Sequence, residues 1–513
     1  MIMAIDFLFI SIQKNLDTIG LKYLHYNLLA ASYRSTILYC PEIEAATGEN
    51  WEEIFAFIRQ RTPTTICFSL MSTEFLRVSK LSEAIKREFP DITLGWGGIH
   101  PTIAPEMCLE FADYVCIGEC DQAIIDIAAA FETGGFDAVK KVNNVCFRSG
   151  GKIQKNPLNP LVTDLDSLPP YEHIPVHSFL FSRGTIRPVV WSNFRQYAPY
   201  RGNTYSVITT RGCPFSCTYC CNNFLTTLYG SKKIRKRSID KIIEELSKAV
   251  SDYPNLEYIN FQDDCFLACS NDYLEEFCQR YKAVIGKPFI IRSIPIYITP
   301  EKITALKDAG LGWISLGLQS GSDRVAREVY KRKSYQANFL KAARIIHQSK
   351  VAAYYDVILD NPYETEADML ETIHTLLETP RPFYTQFFSL TFYLGTELYD
   401  RAALERGGEF TDSLEKNYLS YEKNTINEIT RLATFLPLWQ MKAIVSLYKR
   451  QTAAGFLKIL LFVAKLQTVL FFEPLMYLRV IRLSVRGDLF KTMTVLPSYL
   501  KEGLSRYFEQ FKK

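Results

Sequence analysis

No secretory leader is expected from the start of the sequence. Residues 1–10 include Asp6 and carry no basic leader, so the run reads as a first strand and not as a targeting segment. It also has no long apolar stretch free of polar side chains. The 17-residue run 456–472 is broken by Lys458, Lys465 and Gln467, which makes it short and polar for a helix that crosses a membrane. Charge of one sign is not in large excess either, the formal net charge being +4. No recognisable nucleic-acid-binding fold accompanies the basic residues, and the apolar residues among them argue against that use, so no nucleic-acid partner is expected. The chain holds 13 cysteines, an odd number, with no secretory signal. A reducing cytoplasm is expected, with oxygen-poor handling.

What is present is material for two or three domains: 513 residues, 48% of them hydrophobic. The small net charge hides an asymmetry. From Arg431 to Lys513 there are 14 Lys and Arg against 4 Asp and Glu, which leaves the rest of the chain about −6. Residues 1–138 alternate apolar runs (5–10, 36–40, 64–70, 92–97, 114–117) with helical patterns such as 51–61 and 81–88. That alternation implies an open, doubly wound parallel sheet with helices on both faces, and such sheets bind ligands beyond the carboxyl ends of their strands. The loops at those ends are rich in small residues: Ser69, Ser72 and Thr73; Gly97 and Gly98, then His100 and Thr102; Gly118 and Glu119. Residues 139–200, punctuated by Gly150-Gly151 and by proline pairs, read as a connector.

A second alternation follows. Strands are expected at 205–210, 256–262, 289–294, 313–318, 352–359 and 386–393, with helices at 238–250, 273–281, 300–309, 336–349 and 366–377. Six strand and helix units fall short of the eight of a closed barrel. After Gly407-Gly408 the pattern becomes helical, at 428–449, 456–472 and 475–485. Lys458 and Lys465 share a face on one of these helices, and Arg479, Arg482 and Arg486 share one on the next. Apolar helices with basic faces suit either a lid on the barrel or an anionic membrane surface.

Within the second alternation stands Arg211-Gly-Cys213-Pro-Phe-Ser-Cys217-Thr-Tyr-Cys220, with three cysteines at C-x3-C-x2-C spacing on a turn-forming segment. Three thiolates there can hold three irons of a [4Fe-4S] cubane and leave the fourth open. A zinc site would call for a further ligand pair within about twenty residues, and none appears. Cys265, Cys269 and Cys278 read as small buried thiols and not as a second cluster.

This cysteine motif resembles that of the radical S-adenosylmethionine (SAM) enzymes. The resemblance implies a [4Fe-4S] cluster on Cys213, Cys217 and Cys220, and SAM bound at its open iron. It places Tyr219 against the adenine, and Gln262, Asp263 and Asp264 near the amino group. Arg292 and Ser293 fall where the carboxylate would be gripped, and Gln319 and Ser320 lie in a ribose- and methionine-contacting turn. Asp356 is a further candidate. In the first domain the Gly-Gly-x-His-Pro-Thr and Ile-Gly-Glu segments resemble the cobalamin-binding domain that precedes the radical SAM core in one large subgroup. That resemblance assigns Ser69, Ser72, Thr73, Gly97, Gly98, His100, Thr102, Gly118 and Glu119 to cobalamin. An Asp-x-His-x-x-Gly element is absent, with Tyr23 and Leu28 at the corresponding positions around His25, so no histidine is expected below the cobalt.

The expected architecture is therefore α/β: a cobalamin-binding-like doubly wound sheet (1–138), a linker (139–200), a partial (β/α)6 radical SAM barrel (201–410) and a helical C-terminal region (411–513). The resemblance implies an enzyme that methylates an unactivated carbon, using a deoxyadenosyl radical and a methyl group carried by cobalamin, and the apolar, basic helical end of the chain adds the expectation of a hydrophobic or anionic substrate such as a lipid. Cyclisation, rearrangement or carbon-carbon coupling is the alternative, and a non-catalytic iron-sulfur electron carrier a third. A reductase, flavodoxin or ferredoxin would supply electrons. The expected location is cytoplasmic, with a peripheral association at the membrane surface.

Overall fold

A computed structural model of the chain describes residues 5–43, 51–406, 414, 418–450 and 454–485. Gly407-Gly408, Arg486 and the rest of the basic C-terminal stretch lie outside the described residues. The chain divides into two compact units. One comprises Met1–Gly212, Tyr219–Ile259 and Phe392–Lys416, the other Cys213–Thr218, Asn260–Thr391 and Asn417–Lys513.

The first unit is built on nine strands: β1 (Asp6–Ser11), β2 (Arg34–Tyr39), β3 (Thr65–Ser69), β4 (Thr93–Gly97), β5 (Tyr114–Cys116), β6 (Val145–Ser149), β7 (Lys152–Lys155), β8 (Ser178–Ser182) and β9 (Thr185–Pro188). Their order is β7-β6-β5-β4-β3-β1-β2-β8-β9. The strands from β5 through β1 to β8 run parallel. Every residue of β1 is buried, as expected for a central parallel strand covered on both faces. Its side chains alternate. Leu8 and Ile10 join Ile66, Phe68 and Trp96 in one core, whereas Phe7 and Phe9 join Ile37, Tyr39 and Ile127 in the other. Because β2 and β3 lie on opposite sides of β1, the strand order reverses there, and the crevice beyond the carboxyl ends of β1 and β3 is the expected ligand site.

The connector reading of 139–200 needs correction. That segment supplies β6 to β9, four further strands of the same sheet, joined through three antiparallel pairings toward its edges. Its glycines sit in tight hairpins and not in a linker. Gly150 and Gly151 (φ 55° and 75°) join β6 to β7, and Arg183 and Gly184 (φ 52° and 70°) join β8 to β9. A two-residue turn with positive φ at both positions matches the right-handed twist of paired strands.

Further along lie β10 (Thr204–Val207), the short β11 (Thr210–Arg211) and β12 (Arg235–Lys236), then β13 (Tyr258–Phe261), β14 (Phe289–Ser293), β15 (Leu311–Gln319), β16 (Ala352–Leu359) and β17 (Tyr384–Ser389). The second sheet has the order β10-β13-β14-β15-β16-β17, six strands in sequence order as in a partial barrel. From β14 to β17 neighbouring strands are parallel. Helices Asn271–Val284, Pro300–Ala309, Gln336–Gln348 and Glu366–Glu378 connect them. Thr299 and Thr365 cap two of these by accepting hydrogen bonds from Lys302 and Asp368 backbone N–H groups.

The helical end of the chain also differs from expectation. The pattern at 428–449 is two helices, Thr425–Phe435 and Leu438–Arg450, parted at Pro437, whose ring cannot continue a helix. The runs 456–472 and 475–485 are instead one helix of 30 residues, Gly455–Ser484, made continuous by a wide turn at Thr468–Phe472. It is long and apolar enough to cross a membrane, contrary to the expectation from 456–472 alone, and only 22% of its most apolar window is buried.

Candidate functional site

In the first unit the strand-end loops interlock. Leu70 N–H donates to the Gly97 carbonyl (3.0 Å), His100 N–H to the Leu70 carbonyl (3.3 Å), and Gly118 N–H to Thr102 Oγ1 (2.9 Å). The loops after β3, β4 and β5 therefore form one platform at the switch point. Gly98 has φ 99°, and a Cβ there would lie 2.7 Å from the Leu70 carbonyl oxygen, so glycine is demanded by this crossing. At Gly118 a Cβ would meet the Tyr229 hydroxyl. Gly97 differs: a Cβ would find only Cys116 Cβ, 3.7 Å away. Ser69 and Thr73 are half-buried beside it, and Met71 is 46% exposed on the crest.

His100 is fully buried. Its Nδ1 meets Ser72 Oγ at 3.0 Å, while Nε2 has no hydrogen-bond partner. Burial pulls its pKa down to about 4, so the ring is neutral near pH 7. An orphaned ring nitrogen and an open glycine at the strand ends fit a large polar-rimmed cofactor in this crevice. His25 is occupied elsewhere, with Nδ1 on Ser35 Oγ (2.8 Å) and Nε2 on the Val176 carbonyl (3.0 Å).

The Glu119 carboxylate is held by two arginines that follow the first domain. Arg235 Nη1 donates to it at 2.8 Å and Arg211 Nη1 at 3.4 Å. Arg211 also forks onto Asp121 at 2.6 and 3.1 Å. These arginines sit on the small antiparallel ladder β11-β12, which opens and closes the cysteine segment.

That segment begins at Gly212, whose φ of 103° and approach to the Lys233 carbonyl (2.9 Å from a Cβ) exclude other residues. Cys213 and Cys220 are half-buried, Cys217 is buried, and none is in a disulfide. Thr218, between the second and third cysteines, is fixed by N–H to the Tyr330 carbonyl (3.1 Å) and Oγ1 to the Val329 carbonyl (2.6 Å). Sequence reading missed Thr218, since nothing local marks a threonine whose partners lie over a hundred residues away. Tyr219, next to Cys220, is half-buried. Among the described residues no group of three His, Cys, Asp or Glu side chains suits a single metal ion. Three thiols on one loop are instead a donor set for a cubane, in which each cysteine has its own iron. Cys265, Cys269 and Cys278 are buried, and burial pushes the Cys265 and Cys278 thiols up to about 12.

The residues assigned to SAM lie at carboxyl ends of the strands β13 to β15. Gln262 is half-buried, Asp263 buried and Asp264 exposed, so the three do not share one environment. Arg292 Nη1 points at Asn260 Oδ1 (3.5 Å) and the Phe261 carbonyl (3.4 Å), and Ser293 is buried next to it. Gln319 has φ 67°, uncommon for a residue with a side chain, at the end of β15. Arg332, not foreseen, is buried beneath this turn and donates to the Leu318 carbonyl (3.3 Å). Ser320 is buried against Thr372 (Oγ to Oγ1 3.3 Å). Asp356 on β16 accepts from Ser315 Oγ (3.3 Å). Burial raises its pKa to about 6, against the opposing pull of that hydrogen bond, Arg292 and Arg332.

A B12-type sheet followed by a cysteine loop and a six-stranded partial barrel defines the class. Residues 5–128 match the B12 binding domain family and residues 207–376 the Radical SAM superfamily. The chain belongs to the radical SAM enzymes that carry a cobalamin-binding domain, and its cofactors are a [4Fe-4S] cluster, SAM and cobalamin. It is 22% identical over 358 residues to an uncharacterised methyltransferase of Pyrococcus horikoshii, covering 69% of this chain and 72% of that one. It is also 22% identical to an anaerobic magnesium-protoporphyrin IX monomethyl ester cyclase of Cereibacter sphaeroides, covering 72% of this chain and 61% of the cyclase. The structure of the radical SAM methyltransferase TsrM from Kitasatospora setae, with cobalamin and a [4Fe-4S] cluster bound, superposes with a TM-score of 0.62 at 13% identity over 79% of this chain and 80% of that one.

Proposed function

We propose that this enzyme transfers a methyl group to an unactivated carbon of a hydrophobic or anionic small molecule, drawing electrons from a reductase, flavodoxin or ferredoxin. The observation that carries the reading is the platform beside the β1 and β3 ends, with its orphaned His100 nitrogen and open Gly97, in the same chain as the three-cysteine loop. Bound there, the cofactors supply a carbon-centred radical and a transferable methyl group, chemistry no side chain offers.

In this reading the chain aims and shields. Cys213, Cys217 and Cys220 hold the cluster, and the Thr218 hydrogen bonds keep their loop in place. Tyr219, Gln262, Asp263, Asp264, Arg292, Ser293, Gln319 and Ser320 orient SAM. Ser69, Ser72, Thr73, Gly97, Gly98, His100, Thr102, Gly118 and Glu119 form the cobalamin bed, in which Glu119 shapes the loop, its carboxylate engaged by arginines and its N–H by the Tyr229 hydroxyl (2.7 Å). The working division of the chain is 1–138 together with 139–200, whose strands complete the first sheet, then 201–410 and 411–513, with the enzyme in the cytoplasm at a membrane surface and its substrate lipid-like.

The relative that is a cyclase favours a second reading, radical ring closure without methyl transfer. Anaerobic purification with cobalamin supplied, followed by corrinoid and product analysis, separates the two. Near-stoichiometric corrinoid, with S-adenosylhomocysteine formed beside 5'-deoxyadenosine, supports methylation. Deoxyadenosine without S-adenosylhomocysteine supports cyclisation, and a chain that takes up no corrinoid overturns the methyl-transfer reading.

A further inference from the structure

Helix Gly455–Ser484 has two unlike sides. Leu457, Leu461, Ala464 and Thr468 are buried, and further along Met476, Val480 and Ile481 continue that contact. Polar ties fasten the same helix: Arg431 to Glu473 at 2.8 Å, Tyr477 to the Tyr384 hydroxyl at 3.0 Å, and Lys465 to Glu428. On the other side Phe456, Ile459, Phe462, Leu466, Leu470 and Phe471 recur every few residues, each more than half exposed, with Phe462 at 69%. A soluble helix normally turns such a stripe inward.

Length and composition would let this helix cross a bilayer, but its fastened side argues otherwise. A spanning helix surrounds itself with lipid or with other spanning helices. This one is bound along its length to strands and helices of the second unit. Only one side is left for lipid, the arrangement of an interfacial helix lying in the membrane plane.

Its charges name the lipid. Lys458 is exposed on the flank of the stripe, and Arg479 and Arg482 are exposed near the helix end. Both arginines line a cleft of roughly 1130 Å³ together with Lys307 and Lys350, against one carboxylate, Asp308, which pairs with Lys282 at 2.7 Å. Cations beside an inserted apolar face are attracted to an anionic leaflet and lose nothing by staying hydrated among its headgroups.

We propose that the exposed face of helix Gly455–Ser484 beds into an anionic phospholipid bilayer, with Arg479, Arg482, Lys307 and Lys350 receiving headgroup phosphates. The inference rests on the membrane-surface location of the reading above and not on methyl transfer. It is tested by flotation of the full-length protein with phosphatidylcholine vesicles that contain or lack phosphatidylglycerol. Binding to the anionic vesicles is expected to exceed that to neutral ones by about ten-fold and to weaken in high salt. Phe462→Glu with Leu466→Glu abolishes it, and Arg479→Glu with Arg482→Glu weakens it about ten-fold. Thermal unfolding of each variant is the folding control, and SAM cleavage is read separately, because its loss would count against the functional reading instead. Three outcomes overturn the proposal: no binding to anionic vesicles, binding equal for both lipids, or a dimer in solution that Phe462→Glu with Leu466→Glu dissociates. The last would assign the face to a second copy of the chain.

Discussion

His25, His100 and His173 are buried in the first unit, and desolvation pulls each pKa down to about 4. An unfolded chain holds these rings near 6.5, so between pH 6.5 and 4 it binds more protons than the folded one. Their contribution to stability is fully present above pH 6.5 and is lost as pH falls toward 4, by up to about 1.4 kcal/mol per histidine per pH unit. Asp6 and Glu74, whose carboxyls burial raises, offset part of this. Hydrogen exchange of the β1 and β3 amides at pH 7, 5.5 and 4.5 should show steep loss of protection. Asp356 has the opposite sign. Its raised pKa means that folding works against its charge wherever the unfolded carboxyl is ionised, a cost that grows from its ordinary 3.8 up to about pH 6, so Asp356→Asn should stabilise the fold more at pH 8 than at pH 5, by about 1.4 kcal/mol, with the gain vanishing below about pH 4. A midpoint that falls equally at both pH values would mean that packing, and not charge, is what the carboxylate contributes.

At the scale of the element, two adjacent glycines separate folding from binding. Gly98→Ala drives a Cβ into the Leu70 carbonyl at positive φ and should destabilise the first unit by about 2 kcal/mol or more. Gly97→Ala meets nothing closer than 3.7 Å. It should leave the unfolding temperature alone and lower bound corrinoid, which the visible spectrum measures. Glycine spacing marked both positions in the sequence, but which of them serves the backbone crossing depends on Leu70, and that pairing exists only once β3 and β4 are side by side. The strands and helices themselves were legible. The expected helix 300–309 and strand 352–359 are observed as Pro300–Ala309 and Ala352–Leu359, because caps and apolar periodicity are local signals. The edge strands β6 to β9 were not, since their half-exposed residues carry little periodicity and their turns look like linker. The joining of 456–472 to 475–485 was hidden for a similar reason. Pro474 reads as a break, yet it stands at the first turn after the wide turn, where a missing N–H costs little.

For the whole molecule, the two cofactor sites draw on different sheets, and each should load by itself. Cys217→Ala is expected to abolish the cluster absorbance and SAM cleavage while corrinoid per chain stays at the level of the unaltered enzyme. Corrinoid lost along with the cluster would show that the B12 platform depends on the loaded barrel.

The sequence by itself determined the class of this enzyme, the three cysteines gathered on one loop and the two strand and helix alternations. Those rest on short-range features: cysteine spacing, turn residues and the period of apolar side chains. Only the tertiary structure decided that Glu119 spends its carboxylate on Arg235 and Arg211, that Thr218 anchors the cysteine loop to Tyr330, and that one side of helix Gly455–Ser484 is left bare. Each of these depends on which residues meet across long stretches of chain, where burial sets the cost of a charge or an unpaired polar atom, and no local pattern encodes that meeting.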